Sequence, residues 1–576
     1  MTRQQDARQK RIDAADIAFN RPHFGPEPHP IPNPQTMEDT FPKHIANYSK
    51  GLIHDPNFGE VDDNSYQSLL DALISGNPAD FENIQLDSSF TNGRGNKKLT
   101  NPLSGLAFDL EGPDAHAIAL LKQGATDLIN PNSYESFPLP PKLDSEEIAG
   151  EMIELYWMAL LRDVDFTDYS NNDLVEEAAD ELSNLTVFKG PKENGRVTPQ
   201  TLFRGFAPGD TEGPYISQLL LRGNQDDVLG RDEGDGWVKY GTQSINMKNV
   251  VVIEGKDFGT TFEAWKAIQN GENRDLDPLY EGKKGDNRKL RFFFDEIQRF
   301  IRNPRDIATY VHYDALYQAY QVACLYLLRK MDFEMAEKML NPGNPYLGLN
   351  KTDGFGTFGG PHILSLLCEV ATRALKSVWY TKWFLFRHLR PEAYGGLVHL
   401  HKTQQRNYPL NSEVIDSDEL LERIKKHNNQ QNIRFDRKPR DGTYLLPLAF
   451  PEGSPTHPSY GAGHATVAGA CVTVLKFWFN EKYEFEEAYI PDKKKNGRKL
   501  RKINKKLTLG GELNKLAANI AIGRNMAGVH WRSDYTQSLR LGEAIAIGIL
   551  QEQKILYRER PTKFKFTRFD GTVIEI

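Results

Sequence analysis

The sequence predicts a mainly α-helical protein with a few short strands. Long apolar segments follow one another from residue 308 onward, most of them are too long for strands, and a clear two-residue alternation occurs at the C-terminus. Because several of these segments are apolar on more than one narrow stripe, we expect them to pack as buried helical bundles. A chain of 576 residues is long enough to bury such a core.

The N-terminal segment is rich in proline between Pro22 and Pro34. Proline removes a backbone donor and cannot continue a helix or an inner strand. We therefore predict an extended, polyproline-like arm over residues 1–40, either loose or lying across a neighbouring subunit.

The next part, residues 41–300, is predicted to be helical with a loop-rich insertion. Its clearest helix follows Asp144, which has the spacing of a capping box with Glu147, and apolar residues then recur at helical intervals. Residues 190–300 are rich in Gly, Asp and Asn and predict the irregular insertion.

Residues 301–576 carry the bundle pattern. Four long apolar segments begin at Ala308, Pro361, His464 and Gly511, separated by glycine, proline or polar loops. The chain closes with "KFKFTRFDGTVIEI", in which the alternation on both sides of Asp-Gly predicts a hairpin.

Composition and charge exclude several classes of protein. The formal net charge is −7, and the lysine-rich run at 493–506 has no interleaved aromatic residues, so we expect no nucleic-acid partner. No secretory signal and no apolar run of membrane-spanning length are present, which predicts a cytoplasmic protein without membrane contact. The "GFGTFG" run at 354–359 follows no strand, which argues against dinucleotide binding.

The segment "KWFLFRHLRP" contains two cations among aromatic residues. Lys382 and Arg390 are two helical turns apart, and Pro391 predicts that the helix ends at Arg390. A solvated basic face is one interpretation. The apolar surroundings favour another, because buried cations are costly unless they meet an anion.

The loop "HPSYGAGHATVAGA" leads into an apolar helix. Ala462 and Gly463 allow close backbone approach, and the first N–H groups of the helix are free, which is typical of an anion site. His457 and His464 could instead be zinc ligands, although no third ligand at a suitable spacing supports zinc.

The segment "GRNMAGVHW" supplies further polar groups. Arg524 is a planar cation, and His530 is followed four residues later by Asp534. A helix beginning near His530 would place Asp534 on the same face, where it can orient the imidazole. Taken together, three cations, a helix N-terminus and two histidines suit one tetrahedral oxyanion.

These segments resemble a known signature. Lys382, Arg390-Pro391, Gly463-His464 and Arg524 with His530 are similar to the three-part motif shared by vanadium-dependent haloperoxidases and the type 2 phosphatidic acid phosphatase superfamily. The sequence segments "HPSY", "GRNMAGVH" and "FGTFGGPHILS" resemble those of bromoperoxidases of red algae and cyanobacteria. The resemblance is clearest from about residue 300 to the C-terminus.

The resemblance implies vanadate as the cofactor, with His530 as the axial protein ligand of vanadium. The oxygens of vanadate would be held by Lys382, Arg390, Arg524, His464 and the Gly463 N–H. Hydrogen peroxide would then oxidise bromide or iodide to a hypohalous-acid equivalent that halogenates a small organic acceptor.

Roles for single residues also follow from the resemblance. Lys382 would polarise the peroxide, and His464 would exchange protons as acid and base. His457 matches the extra histidine of bromoperoxidases, and Trp379 stands where red-algal enzymes carry arginine and chloroperoxidases an aromatic residue. Both would border the halide pocket, and chloride oxidation stays open.

One position departs from the signature. The family has serine before Gly-His, whereas this chain has Ala462, which cannot donate a hydroxyl hydrogen bond. A lost hydrogen bond to a charged group costs about 1.5–3 kcal/mol. Two alternatives therefore remain beside the haloperoxidase: a vanadate-inhibited acid phosphatase of the same superfamily, with His530 as nucleophile and His464 as acid, and a weakened or non-catalytic oxyanion-binding homologue.

The resemblance carries two further expectations. Related enzymes are large homo-oligomers, often dodecamers, so a homo-oligomer is expected. Some also hold a structural calcium near the segment that corresponds to residues 344–354 here, for which the sequence suggests no particular ligands.

Overall fold

A computed structural model describes residues 2–20, 25–26, 41–90, 99–100, 102–106, 136–272, 294–331, 336–559 and 563–576. Within these ranges the chain is mainly helical, which confirms the predicted fold class. The α-helices are α1 (Arg3–Asn20), α2 (Asp63–Ser75), α3 (Leu103–Leu106), α4 (Glu146–Leu160), α5 (Asp173–Asn184), α6 (Phe262–Gln269), α7 (Pro304–Tyr313), α8 (Gln318–Met331), α9 (Ala336–Met339), α10 (Gly360–Tyr380), α11 (Pro391–Lys402), α12 (Ser412–Ile415), α13 (Asp418–Arg434), α14 (Gly463–Trp478), α15 (Leu509–Met526) and α16 (Arg532–Leu556).

The strands are short and pair two by two. They are β1 (Gly25–Pro26), β2 (Ser136–Phe137), β3 (Trp237–Tyr240), β4 (Gln243–Asn246), β5 (Glu484–Phe485), β6 (Ala488–Pro491), β7 (Leu500–Ile503), β8 (Leu507–Thr508), β9 (Lys565–Thr567) and β10 (Val573–Glu575). β1 and β2 are parallel, while β3–β4, β5–β8, β6–β7 and β9–β10 are antiparallel. The β9–β10 pair confirms the predicted C-terminal hairpin.

Helix α14 lies at the centre of the bundle and packs against α10, α15 and α16. Two glycines allow α14 and α16 to approach backbone to backbone. A Cβ on Gly469 would lie 2.0 Å from the carbonyl oxygen of Leu539, and one on Gly542 would lie 1.9 Å from that of Thr466. Any side chain there would force the two helices apart, so this contact fixes the start of α14 relative to α16.

Helix α4 anchors the start of α16 through buried polar contacts. Arg532 Nε donates to Glu154 Oε2 at 2.8 Å, and the Ser533 N–H donates to Glu151 at 2.9 Å. Buried ion pairs of this kind are costly to break, because the remaining partner would be left as an unpaired buried charge. The helix after Asp144 is confirmed, but the predicted capping box was wrong. The N-cap is Ser145, which accepts the Ile148 N–H at 3.3 Å, and Ile148 has no side-chain acceptor that could complete a box.

Two predictions for the course of the chain were wrong. Residues 3–20 of the expected extended arm form α1, because the prolines begin only at Pro22. Apart from the β1 residues, the proline-rich stretch lies outside the described residues. The apolar segment from Ala308 is also not one helix: α7 ends at Tyr313, where Asp314 takes an extended conformation, and α8 begins at Gln318.

Of the described helices, none combines the length and the apolar character that a membrane crossing requires.

Candidate oxyanion site

Four predicted site residues form one contiguous cluster of nitrogen atoms. Lys382 Nζ lies 2.8 Å from His457 Nδ1, and an Arg390 terminal nitrogen lies 2.9 Å from the same atom. The other terminal nitrogen of Arg390 lies 3.0 Å from His530 Nε2. The structure thus brings together residues from three segments that are up to 148 positions apart in the sequence, from Lys382 to His530.

Lys382 and Arg390 reach this cluster differently from the prediction. α10 continues into a π-helical turn, Thr381–Phe386, and Arg387 then takes a left-handed conformation with φ 40°. The helix therefore ends at Phe386, and the prediction that it ends at Arg390 was wrong. Pro391 instead opens α11, since proline is favoured in the first turn of a helix, and Arg390 is the residue that precedes it.

The cations of the site are buried, and burial lowers their pKa values. Burial and then the charge of Arg390 hold the pKa of Lys382 well below its ordinary value, and Arg524 acts in the same direction. Burial lowers the pKa of Arg390 to about 10, although Asp534 opposes this. An anion in the cluster would relieve both effects, because an opposite charge nearby favours the protonated cation.

His530 is held in one tautomer by Asp534. Its Nδ1 lies 2.6 Å from Asp534 Oδ2, and burial together with the charges of Arg390 and Lys382 holds the pKa of His530 well below its ordinary value. The neutral ring donates Nδ1–H to the carboxylate, which leaves the Nε2 lone pair to accept from Arg390. A neutral imidazole with its second nitrogen on a carboxylate is the usual arrangement of a metal-binding histidine.

His457 accepts two hydrogen bonds from cations. Burial and then the charges of Lys382 and Arg390 hold its pKa well below the ordinary value, so the ring is neutral. Its Nδ1 also lies 3.1 Å from the Pro458 carbonyl oxygen. Because Nδ1 is shared by the two cations as an acceptor, we assign the proton of the neutral ring to Nε2.

The start of α14 presents free backbone donors next to this cluster. Ala462 is the N-cap residue and supplies no side-chain cap, while its own N–H donates to Ser538 Oγ at 2.7 Å. The first N–H groups of α14, beginning with Gly463, have no partner within the helix and suit an anion.

His464 lies on the first turn of α14 and contacts a second carboxylate. Its Nε2 lies 3.1 Å from Asp314 Oδ1, and Asp314 is almost fully buried. Asp314 can orient the imidazole and stabilise its charged form, as a carboxylate partner does for an acid–base histidine.

A cavity of about 340 Å³ connects these groups to solvent. Arg524, His457, Gly463, His464 and His530 line it together with apolar residues. Arg524 donates to the Val311 carbonyl oxygen at 3.0 Å, and its Nε is buried without a hydrogen-bond partner in the described structure. An unpaired buried donor beside a cluster of cations fits an oxyanion ligand.

Trp379 forms the apolar wall of the same cavity. Its ring lies 4.7 Å from the ring of His457, and Lys382 Nζ lies 4.9 Å from its centre. The structure therefore places Trp379 and His457 side by side at the cavity, as predicted for residues that border one pocket.

The end of α7 makes contacts with the site that the sequence did not predict. Within four residues, Val311 binds Arg524, His312 contacts Glu452 and Asp314 contacts His464. The letters "VHYD" contain a histidine and an aspartate at the end of an apolar helix, which was the only local signal. Their partners lie at least 140 residues away, so spacing could not reveal these pairs.

The zinc interpretation finds no support in the geometry. Across the ranges that the structure describes, no group of three or more His, Cys, Asp or Glu side chains is arranged to hold a metal ion. His457 and His464 are engaged with cations and with Asp314, respectively.

Fold and site together define an oxyanion-binding protein of the helical-bundle class. The chain is 36% identical over 98% of its length to the vanadium-dependent bromoperoxidase of Corallina pilulifera, of which it covers 97%. The chain belongs to the vanadium-dependent bromoperoxidase family.

Further comparisons agree with this assignment. The chain is 32% identical over 92% of its length to the vanadium-dependent bromoperoxidase of Ascophyllum nodosum, covering 86% of that protein. Residues 437–558 match the family described as the VCPO second helical-bundle domain. A solved homohexamer, the second vanadate-dependent bromoperoxidase of Ascophyllum nodosum, superposes with a TM-score of 0.80 at 28% identity over 100% of this chain and 90% of that one.

Proposed function

We propose that this protein is a vanadate-dependent bromoperoxidase that uses hydrogen peroxide to oxidise bromide and iodide to a hypohalous-acid equivalent. The observation that carries the proposal is the state of His530: Asp534 engages Nδ1 and leaves Nε2 among the buried cations. Bound vanadate would supply a Lewis acid that activates hydrogen peroxide toward the halide.

We assign the remaining roles to the cation cluster and to groups that border the cavity. Lys382, Arg390, Arg524 and the Gly463 N–H would hold the oxyanion. Arg390 contacts His530, and both Arg390 and Lys382 contact His457. Arg524 and Gly463 line the cavity together with these two histidines. Lys382, beside His457 and Trp379, is placed to polarise peroxide that enters the cavity. His464 would take up and return protons, with Asp314 holding its Nε2 side.

The cavity wall supports a role of Trp379 and His457 in halide binding. The Trp379 indole excludes water on one side, and the neutral His457 ring carries a proton on Nε2 that can be donated to an anion. A weakly hydrated anion such as bromide or iodide suits this half-apolar surface best.

Bromide oxidation tests the proposal directly. The purified protein is freed of vanadate and assayed for bromination of a phenolic dye with hydrogen peroxide and bromide, with increasing orthovanadate. We expect saturable, vanadate-dependent bromination. No vanadate-dependent rate at saturating vanadate would overturn the proposal, and hydrolysis of a chromogenic phosphate ester by the vanadate-free protein would point to the phosphatase instead.

We propose that the chain assembles as a homo-oligomer. The solved Ascophyllum nodosum relative is a homohexamer, whereas the sequence resemblance implies a dodecamer. Sedimentation velocity separates the two assemblies by mass.

The structural calcium, the cytoplasmic location and the division into residues 41–300 and 301–576 stay predictions.

A further inference from the structure

A second histidine–carboxylate pair lines the outer part of the cavity. His312 Nε2 lies 2.8 Å from Glu452 Oε1, and both residues border the same cavity as His464 and His530. The side chains of His312 and Glu452 are 19% and 41% exposed, whereas that of His530 is 3% exposed. The pair is therefore more exposed to solvent than His530 in the buried cluster.

Both members of this pair are held in place. The His312 ring stacks on Phe450 with a centroid distance of 3.8 Å and an angle of 8°. On the other side, Lys50 Nζ donates to the Glu452 and Ser454 carbonyl oxygens at 2.5 and 2.6 Å, which fixes the backbone that carries the carboxylate. A pair fixed on both sides keeps its charges at a constant position in the cavity opening.

Neighbouring charged groups set the protonation of Glu452. Partial burial works to raise the pKa of Glu452, but the hydrogen bond and charge of His312, with Lys50 adding to them, bring it below the ordinary value. Glu452 is therefore ionised. Burial lowers the pKa of Arg524, and the charges of Asp314 and Glu452 oppose this, so Glu452 acts electrostatically on the cation cluster.

A carboxylate at the opening of a cavity repels the anions that enter it. Bromide must pass or approach Glu452, and a negative charge on a rim lowers the local concentration of anions and their association rate. Hydrogen peroxide is neutral and does not experience this effect. A cation paired with the carboxylate reduces the repulsion.

We propose that Glu452 and His312 form an electrostatic gate for anions, in which Glu452 opposes halide entry and His312 offsets that charge. The inference rests on the proposed function, because it concerns the halide of that reaction. It assigns to this chain two specificity-determining residues outside the three-part signature.

The test compares an anionic with a neutral substrate. In Glu452→Gln, which keeps a hydrogen-bond acceptor for His312, kcat/KM for bromide should rise about two- to fivefold at low ionic strength, and the gain should shrink in high salt. The kcat/KM for hydrogen peroxide should not change. Equal changes for both substrates, or a bromide gain that salt does not reduce, would show a merely structural role and overturn the gate.

A double-variant cycle tests the part of His312. His312→Gln should lower kcat/KM for bromide by a similar factor, because Glu452 is left uncompensated. Adding Glu452→Gln to this variant should restore the value of the Glu452→Gln protein. If His312→Gln has the same effect with and without Glu452, the two residues do not act as a pair and the inference fails.

A matched control is available on α5. Glu177 is 45% exposed and pairs with Arg423 at 2.5 Å, so Glu177→Gln removes a similarly exposed, paired charge away from the cavity. This variant should leave the ratio of bromide to peroxide kcat/KM unchanged. A change as large as that of Glu452→Gln would mean that any surface charge produces the effect, and would overturn the gate.

The uptake of orthovanadate supplies a readout that needs no turnover. Protein freed of vanadate is mixed with orthovanadate, desalted rapidly at timed intervals and analysed for bound vanadium. The association rate should be faster in Glu452→Gln than in the wild type, and the difference should diminish with salt. If the wild type oxidises no bromide but shows this result, the proposed function fails and the gate stands; equal association rates would remove the gate whatever the activity.

Discussion

Asp534 Oδ2 lies 2.6 Å from His530 Nδ1, and Arg390 lies 3.0 Å from the opposite nitrogen of the same ring. This arrangement fixes the tautomer and the orientation of the imidazole before any ligand binds. Asp534 also accepts the Trp531 N–H at 3.1 Å, so the same carboxylate holds the backbone at the start of α16. The position of Nε2 is thus set by the start of α16, which α4 holds through Arg532 and Ser533.

Removing this carboxylate should weaken the binding of vanadate. In Asp534→Ala the His530 ring loses its hydrogen-bond acceptor, and loss of such a partner typically costs about 10–100-fold in metal affinity. Calorimetric titration with orthovanadate measures the change. Asp63→Ala, which removes an exposed carboxylate paired with Lys43, is the control and should bind as the wild type does. Unchanged affinity in Asp534→Ala would show that Asp534 does not orient the ring.

Asp314 should affect turnover more than binding. It contacts His464 at 3.1 Å, whereas Lys382 and Arg390 contact His457 and His530. In Asp314→Asn the charged form of His464 loses its stabilising partner, so kcat should fall by about a hundredfold. Vanadate affinity should change by less than about threefold, which corresponds to about 0.7 kcal/mol. A loss of affinity as large as the loss of kcat would place Asp314 in the binding of the anion instead.

The sequence predicted the cluster but not the geometry around it. The residues of the signature could be found because each is a polar residue in an apolar or glycine-rich segment, where burial without a partner is costly. The π-helical turn at Lys382 was not predicted from the sequence. The role of Pro391 in α11 was not predicted either, because a proline can follow the end of one helix or occupy the first turn of the next. Asp314 and Glu452 were missed because their partners, His464 and His312, come from distant segments that only the folded chain brings together.

Restoring serine at position 462 should tighten the binding of vanadate. Ala462 is buried at the N-cap of α14, directly before the free N–H groups of Gly463 and His464. A hydroxyl hydrogen bond to a charged oxygen contributes about 1.5–3 kcal/mol, so Ala462→Ser should lower the dissociation constant at least tenfold. Ala468→Ser, on the same helix one to two turns further, is the control for a buried hydroxyl and should show no gain. An unchanged vanadate titration for Ala462→Ser would show that this side chain does not face the anion.

Trp379 should influence which halide is oxidised. The indole packs against His457 and Lys382, so Trp379→Arg replaces an apolar wall by a hydrated cation. Chloride is the more strongly hydrated halide and depends more on a dry surface, so its kcat/KM should fall relative to that of bromide by about fivefold, near 1 kcal/mol. Competition between the two halides measures the ratio. Trp379→Phe keeps an aromatic wall and should preserve the preference; an unchanged ratio in Trp379→Arg would remove Trp379 from the halide pocket.

The stability of the bundle should depend on pH through Glu543 on α16. Its carboxylate accepts the Phe569 N–H at 3.0 Å, and burial raises its pKa from 4.5 to about 8. Between these two values the folded chain keeps a proton that the unfolded chain releases, so stability decreases as the pH rises from about 4.5 to about 8. Glu543→Gln keeps an acceptor for Phe569 but has no proton to lose.

The Glu543→Gln variant should therefore gain stability over the wild type as the pH rises through this window. The difference should be small near pH 4.5 and reach about 4–5 kcal/mol near pH 8, because each unit of pKa difference is worth about 1.4 kcal/mol. Urea unfolding at a series of pH values, followed by circular dichroism, measures it. Parallel curves for the two proteins would show that Glu543 has the same proton affinity in the folded and unfolded chains. The Phe569 contact would then hold the C-terminal hairpin against α16 without a loss of stability on ionisation of Glu543.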